Sequence, residues 1–326
     1  MRSWRCAAAM VAATCLPTAP AAAQSSLEEA RDRVRDLTRG TELGDQLLGL
    51  SGFAALPGIS AATFDVDGGN GPNADIVRLI MPLSKQLDGP TLLGGAPYLE
   101  GTLGYSKMSQ SGKLDPGGAL ETRIDESVTA LSALAGAGLG FELLPGVTLR
   151  PIALLGYAHL DNDTDFDGRG ADALEPVLDD ILANFTADEL LYGAALEIEG
   201  ERPVGALNLG LNARYNHLWG STLRASDDAL DGSSNFGVFT AAATLDGPMP
   251  ATAFGRELRW LLFATNSTFP GLSGDALGFD YFFELGGGIE IVDYDMVPGI
   301  EGLSLRASYI VGDNVTGFAL GAHLEF

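Results

Sequence analysis

Hydrophobic and polar positions alternate along this chain over unusually long stretches. "LNLGLNARYNHLW" sets Leu207, Leu209, Leu211, Ala213, Tyr215 and Trp219 against Asn208, Gly210, Asn212, Arg214 and Asn216. "FDYFFELGGGIEIV" sets Phe279, Tyr281, Phe283, Leu285, Ile289 and Ile291 against Asp280, Glu284 and Glu290. "YLEGTLGYS" (from Tyr98) and "LSLRASYIV" (from Leu303) repeat the pattern. A period of two marks a strand whose two faces meet different surroundings. The chain ends the same way: in "FALGAHLEF", Phe318, Leu320, Ala322, Leu324 and Phe326 oppose Ala319, Gly321, His323 and Glu325. Chain ends usually fray and are polar, so an end patterned to its last residue needs a partner to hold it.

About twelve such segments follow one another, near 59–67, 75–85, 96–109, 126–143, 147–160, 188–200, 206–219, 234–246, 256–267, 278–293, 302–312 and 315–326. Strands of a soluble sandwich run to about five or six residues, whereas about ten are needed to cross a bilayer. The expected fold is therefore all-β: a transmembrane antiparallel up-and-down β-barrel of about 12 strands, an even number as bacterial barrels require. Closure pairs every backbone group in lipid and seats the last strand against the first. With both barrel ends in the periplasm, odd-numbered connections face outward. They are the longer ones, above all 161–187, and even ones such as Leu144-Pro145-Gly146 are tight. The eighth, "DGPMPATAFG", reads as a wider turn. Tyr105, Tyr157, Tyr215, Trp219, Trp260, Phe279 and Tyr309 fall near strand ends, where interfacial girdles sit.

Residues 1–23 read as a secretory signal peptide: Arg2 and Arg5, an apolar run, then Ala21-Ala22-Ala23. Cys6 and Cys15 leave with it, so the mature chain has neither thiol nor disulfide. Beyond it no run of about 20 apolar residues could form a membrane helix. Residues 24–58 form a separate helical segment ahead of the barrel, which occupies 59–326. "SSLEEARDRVRDLTRG" carries a capping box in Ser26 and Glu29, and Leu27, Ala30, Val34 and Leu37 share one helical stripe. "DQLLGLSGFAAL" follows. The segment is either a plug inside the barrel or a periplasmic helix, and the charged "SSLEEARDRVRDLTRG" is the better candidate for a polar lumen.

The net charge is −24 and becomes more negative once Arg2 and Arg5 are removed, which argues against nucleic acid as a partner. Polar positions of the strands place Arg150, Arg214, Arg259 and Arg306 in the lumen with Glu100, Glu142, Glu284 and Glu290. Paired, they lock a filled lumen; unpaired, they line a pore. The three histidines, His159, His217 and His323, have no serine suitably close for nucleophilic catalysis, and no enzyme is expected. No cofactor is called for, except that "DTDFDG" resembles the start of a calcium loop, with Asp163, Asp165, Asp167 and Gly168. The glutamate due at the twelfth position is absent.

Taken together, the barrel, the preceding helix and the terminal Phe326 resemble the autotransporter translocator domain, and more narrowly the solitary autotransporter-like barrels that lack a passenger. The resemblance implies a monomer in the outer membrane of a Gram-negative bacterium, surrounded by its lipid. It also implies that the barrel-assembly machinery reads the C-terminal signal formed by Phe318, Leu320, Leu324 and Phe326. The expected role is structural, surface or closed-pore; a small passive, porin-like channel for solutes is the alternative.

Overall fold

A computed structural model of the chain describes residues 20–39, 43–55, 61–68, 73–87, 89–114, 121–253, 255–271, 277–297 and 300–325. Two helices, α1 (Pro20–Arg39) and α2 (Leu43–Ala55), precede twelve strands. These are β1 (Ala61–Val66), β2 (Ala74–Gln86), β3 (Ala96–Leu114), β4 (Thr122–Leu144), β5 (Val147–Gly168), β6 (Thr186–Val204), β7 (Leu207–Ala225), β8 (Ser233–Ala253), β9 (Arg256–Thr268), β10 (Tyr281–Val297), β11 (Ile300–Gly312) and β12 (Val315–Glu325). Helix α3 (Ala171–Leu178) lies between β5 and β6, and a 3₁₀ turn, η1 (Asp228–Leu230), between β7 and β8.

Each strand pairs antiparallel with its neighbour in sequence, and β1 closes on β12 from Ala61 opposite Leu320 to Val66 opposite Val315. The chain end is thus held in the closing seam. Strand β1 is short, and the lower half of β2 runs on beyond it; Pro82, which cannot donate to a ladder, stands in that half.

Alternation sorts the side chains as the sequence predicts. Leu79, Met81, Leu103, Leu155, Leu262, Leu305, Phe318 and Leu320 are exposed on the outer wall, facing lipid. Arg78, Thr102, Ser106, Glu126, Asn162, Glu197, Arg214 and Glu284 are buried inside.

Long connections gather at one end of the barrel and short turns at the other, which orients it. Gly146 occupies a left-handed backbone conformation (φ 77°), and its missing Cβ leaves room for the Glu201 carbonyl oxygen; a side chain there would be strained. The eighth connection differs from expectation: β8 runs on to Ala253 and the turn to β9 is tight. The register shift between Pro248 and Thr252 absorbs the two prolines.

The long-loop end also departs from the predicted boundaries. Strand β5 continues to Gly168 and β3 to Leu114, so much of the predicted loop is barrel wall. Strands β3 to β8 have 19 to 23 residues, about twice what a membrane requires, while β12 has 11. The wall therefore stands high on one side, with α3 packed at its rim.

Candidate functional site: the filled lumen

Helix α2 lies inside the barrel, against β2, β3, β4, β5 and β8. It can do so because both surfaces are cut back to backbone. A Cβ on Gly104 of β3 would sit 1.7 Å from the Ala54 carbonyl oxygen, and a Cβ on Gly52 would sit 2.6 Å from the Phe236 ring. At these two points the helix backbone and the wall are in direct contact. Phe53, 2% exposed, enters a cage of Phe64, Phe269 and Phe279, with ring centroids 5.3 to 6.2 Å away. Arg78 lies over the same ring at 4.5 Å, a cation–π contact strengthened by desolvation. Phe282, Ile76, Ile310 and Val315 complete this apolar packing.

Phe279, expected in the outer girdle, belongs to this cage. It precedes the first residue of β10 and is free of that strand's alternation, so its ring turns inward. Strand parity predicts a polar lumen, whereas Phe64, Ile76, Phe236 and Phe282 point inward. Adjacent apolar residues of opposite parity signal this at Phe282, in "YFFEL", and at Ile76, in "DIVRL", but not at Phe64 or Phe236.

Helix α1 is not the plug. It rests on α3 and η1 at the barrel mouth, with Ala30 and Val34 packed among Leu174, Val177, Leu178, Ala229 and Leu230. Its charges meet loops instead of lumen groups: Arg35 bonds Asp227 at 2.9 Å, and Arg31 donates to the Pro176 carbonyl at 2.8 Å. Burial pushes the Asp227 carboxyl up, but the Ala229 N–H and the Arg35 guanidinium outweigh it and hold it below the usual carboxylate range.

Nearer the short-turn end lies an ionic layer. Arg214 of β7 grips Glu100 of β3 through two bonds, of 2.6 and 2.8 Å, and Glu197 of β6 at 3.1 Å. Three strands separate β3 from β7 in the wall, so the bidentate pair crosses the lumen. Arg150 bonds Glu197 at 2.6 Å, also reaches Glu199, and covers the Tyr98 ring at 5.1 Å. Glu197 carries two of these contacts and was not singled out from sequence.

The remaining candidates distribute as follows. Arg259 pairs with Asp246, and the register sets it opposite Glu290. Arg306 donates to Ser304 at 3.1 Å and lies over Phe263. Glu284 is bonded by Ser308 and faced by Arg78 and Arg306. Glu142 is exposed at the short-turn rim, opposite Thr148.

Asp163, Asp165 and Asp167 do not form a loop. They occupy consecutive outward positions of β5, opposite Ser127, Asp125 and Arg123 of β4. Alternate residues of a strand lie about 6.7 Å apart, so the extended backbone does not wrap them around one ion. Among the described residues no group of three or more His, Cys, Asp or Glu is arranged to hold a metal.

His159 and His217 face outward in an interfacial cluster. His159 Nδ1 is 2.8 Å from Asp188, which also accepts from the Tyr157 hydroxyl; His217 packs edge-on to Trp219 at 4.3 Å. Of the C-terminal signal, Phe318 and Leu320 are 65% and 68% exposed on the lipid face. Leu324 lies opposite Leu303 in the β11–β12 ladder. The Leu324 side chain and all of Phe326 fall outside the described residues, as does His323's side chain.

Comparison with known proteins agrees with this architecture. Residues 75–318 match the family described as the solitary outer membrane autotransporter β-barrel domain. The fold is similar to the transport unit of the autotransporter AIDA-I from Escherichia coli, at 12% identity and TM-score 0.51, over 89% of this chain and 99% of that one. The β domain of the Bordetella autotransporter BrkA follows at 17% identity and TM-score 0.47, over 82% and 98%. The translocator domain of NalP from Neisseria meningitidis follows at 13% and 0.44, over 89% and 96%. No curated protein matches the sequence. Closed on itself in twelve strands and matched over most of its length, the chain belongs to the solitary outer-membrane autotransporter β-barrel family, integral to the bacterial outer membrane.

Proposed function

We propose that this barrel is a closed, passenger-free member of its family, which fixes its N-terminal helix at the cell surface. The observation that carries the reading is the seat of α2: Ala54 against Gly104, with Phe53 caged in the lumen. The ionic layer of Arg214, Glu100, Glu197 and Arg150 is a second obstruction on the periplasmic side. Both lie where a solute would pass, so a passive channel is the weaker reading. The long loops are the outer end of a bacterial barrel, so α1, lying on them, is extracellular. Insertion follows recognition of the C-terminal strand by the barrel-assembly machinery.

The absence of cysteine from the mature sequence makes a direct test available. Glu29 is exposed on α1, and Ser51 is fully buried on α2. A membrane-impermeant maleimide applied to intact cells should label Glu29→Cys and leave Ser51→Cys unlabelled. Labelling of Glu29→Cys only after the outer membrane is permeabilised would put α1 in the periplasm and sink the reading.

A further inference from the structure

Glu189, on β6, is 5% exposed and faces the middle of α2, near Leu47 and Ser51. Most buried acids of the lumen have a cation beside them: Glu100 and Glu197 have Arg214, and Glu284 has Arg78 and Arg306. Glu126 has none among the described residues but accepts two amide donors, from Gln110 and Asn162. Glu189 lies beside Ser51, whose hydroxyl donates to the Leu47 carbonyl at 3.1 Å, and among the described residues the Glu189 Oε2 has no partner. Glu189 lines a small cavity together with Leu47, Ser221, Thr222 and Ser234, and among the described residues the Ser234 Oγ is likewise buried without a partner. The cavity has room for about one water-sized particle.

A buried carboxylate without a counter-charge is costly. We propose that this cavity, between the lumen helix and strands β6 to β8, is a site for a single small monovalent cation of sodium type. One carboxylate balances one positive charge, and the serine and threonine hydroxyls supply the neutral oxygens that a hard cation takes. A proton on Glu189 would remove the charge but leave Ser234 Oγ unpaired; a cation satisfies both atoms at once. The cavity is walled by Leu47 of α2 on one side and by the barrel on the other, so occupancy holds α2 in place. It does so whether or not the lumen conducts, and its test is independent of surface labelling.

The test is thermal unfolding of the full mature chain in detergent, read by heat-modifiability on gels. Sodium chloride is compared with N-methylglucamine chloride at equal ionic strength and fixed pH. Sodium should raise the midpoint by several degrees. Glu189→Gln, neutral and of the same shape, should fold and lose the sodium increment, and Ser234→Ala should reduce it. Equal midpoints for wild type in the two salts would overturn the site, as would a sodium increment that survives in Glu189→Gln. A midpoint that follows pH without following sodium would make the occupant a proton and equally overturn it.

Discussion

At the scale of single residues, closure depends on one absent side chain and one crossing ion pair. Gly104→Val is acceptable to a strand, yet its Cβ would overlap the Ala54 carbonyl, and β-branched residues favour the wall over relaxation. The expected outcome is an intact barrel with α2 displaced, seen as faster tryptic cleavage within residues 31–39. Gly112→Val, where a Cβ meets only open space, should leave cleavage unchanged. Equal cleavage in both variants would show that Gly104 is not the seat. Arg214→Ala strands Glu100 without its cation, while Glu197 keeps Arg150, at a cost of about 3–5 kcal/mol. The heat-modifiability midpoint should fall sharply, and the double variant Arg214→Ala, Glu100→Ala should recover part of the loss. A double variant no better than the single would mean that Arg214 acts through packing.

At the scale of elements, α1 and the C-terminal strand make separate predictions. The contact of α1 with the outer loops runs through Asp227, whose carboxyl is held below its usual value with Arg35 among the causes. Its contribution is fully present above the ordinary aspartate value of about 4 and lost as pH falls through the lowered one. Docking of α1, read by the fluorescence of an environment-sensitive label on Glu29→Cys, should therefore be flat from neutrality down to mild acid and weaken only below about pH 4. Asp227→Asn should loosen the contact at neutral pH. Loosening that begins near pH 6 would point to a different group. For β12, deletion of Phe326 should leave export intact and impair insertion. A deletion protein that reaches the outer membrane at wild-type level and stays heat-modifiable would refute recognition of that ending.

At the scale of the whole molecule, the wall was legible and its filling was only partly so. Strand number, order and facing follow from period-two alternation, because lipid on one side and lumen on the other impose opposite demands on successive residues. Arg150, Arg214 and Glu100 were legible by the same parity. The aromatic cage was not: a lumen occupied by chain inverts the rule at Phe64 and Phe236, and only the occupant reveals it. The expected plug differs from the observed one for a related reason. Charge in residues 25–40 pointed to a polar lumen, whereas "LLGLSGFAA" fits an apolar one. "DTDFDG" was read as a loop because aspartate and glycine suit turns, but the wall rises beyond the membrane into water, where a strand tolerates such residues on its outer face. The central claim, that α2 obstructs the lumen, is most directly tested by single-channel conductance in planar bilayers. The full mature chain should conduct weakly. Deletion of residues 24–56 should raise conductance several-fold while the barrel stays heat-modifiable, with the ionic layer limiting the gain. Equal conductance in the two proteins, large or small, would contradict the account.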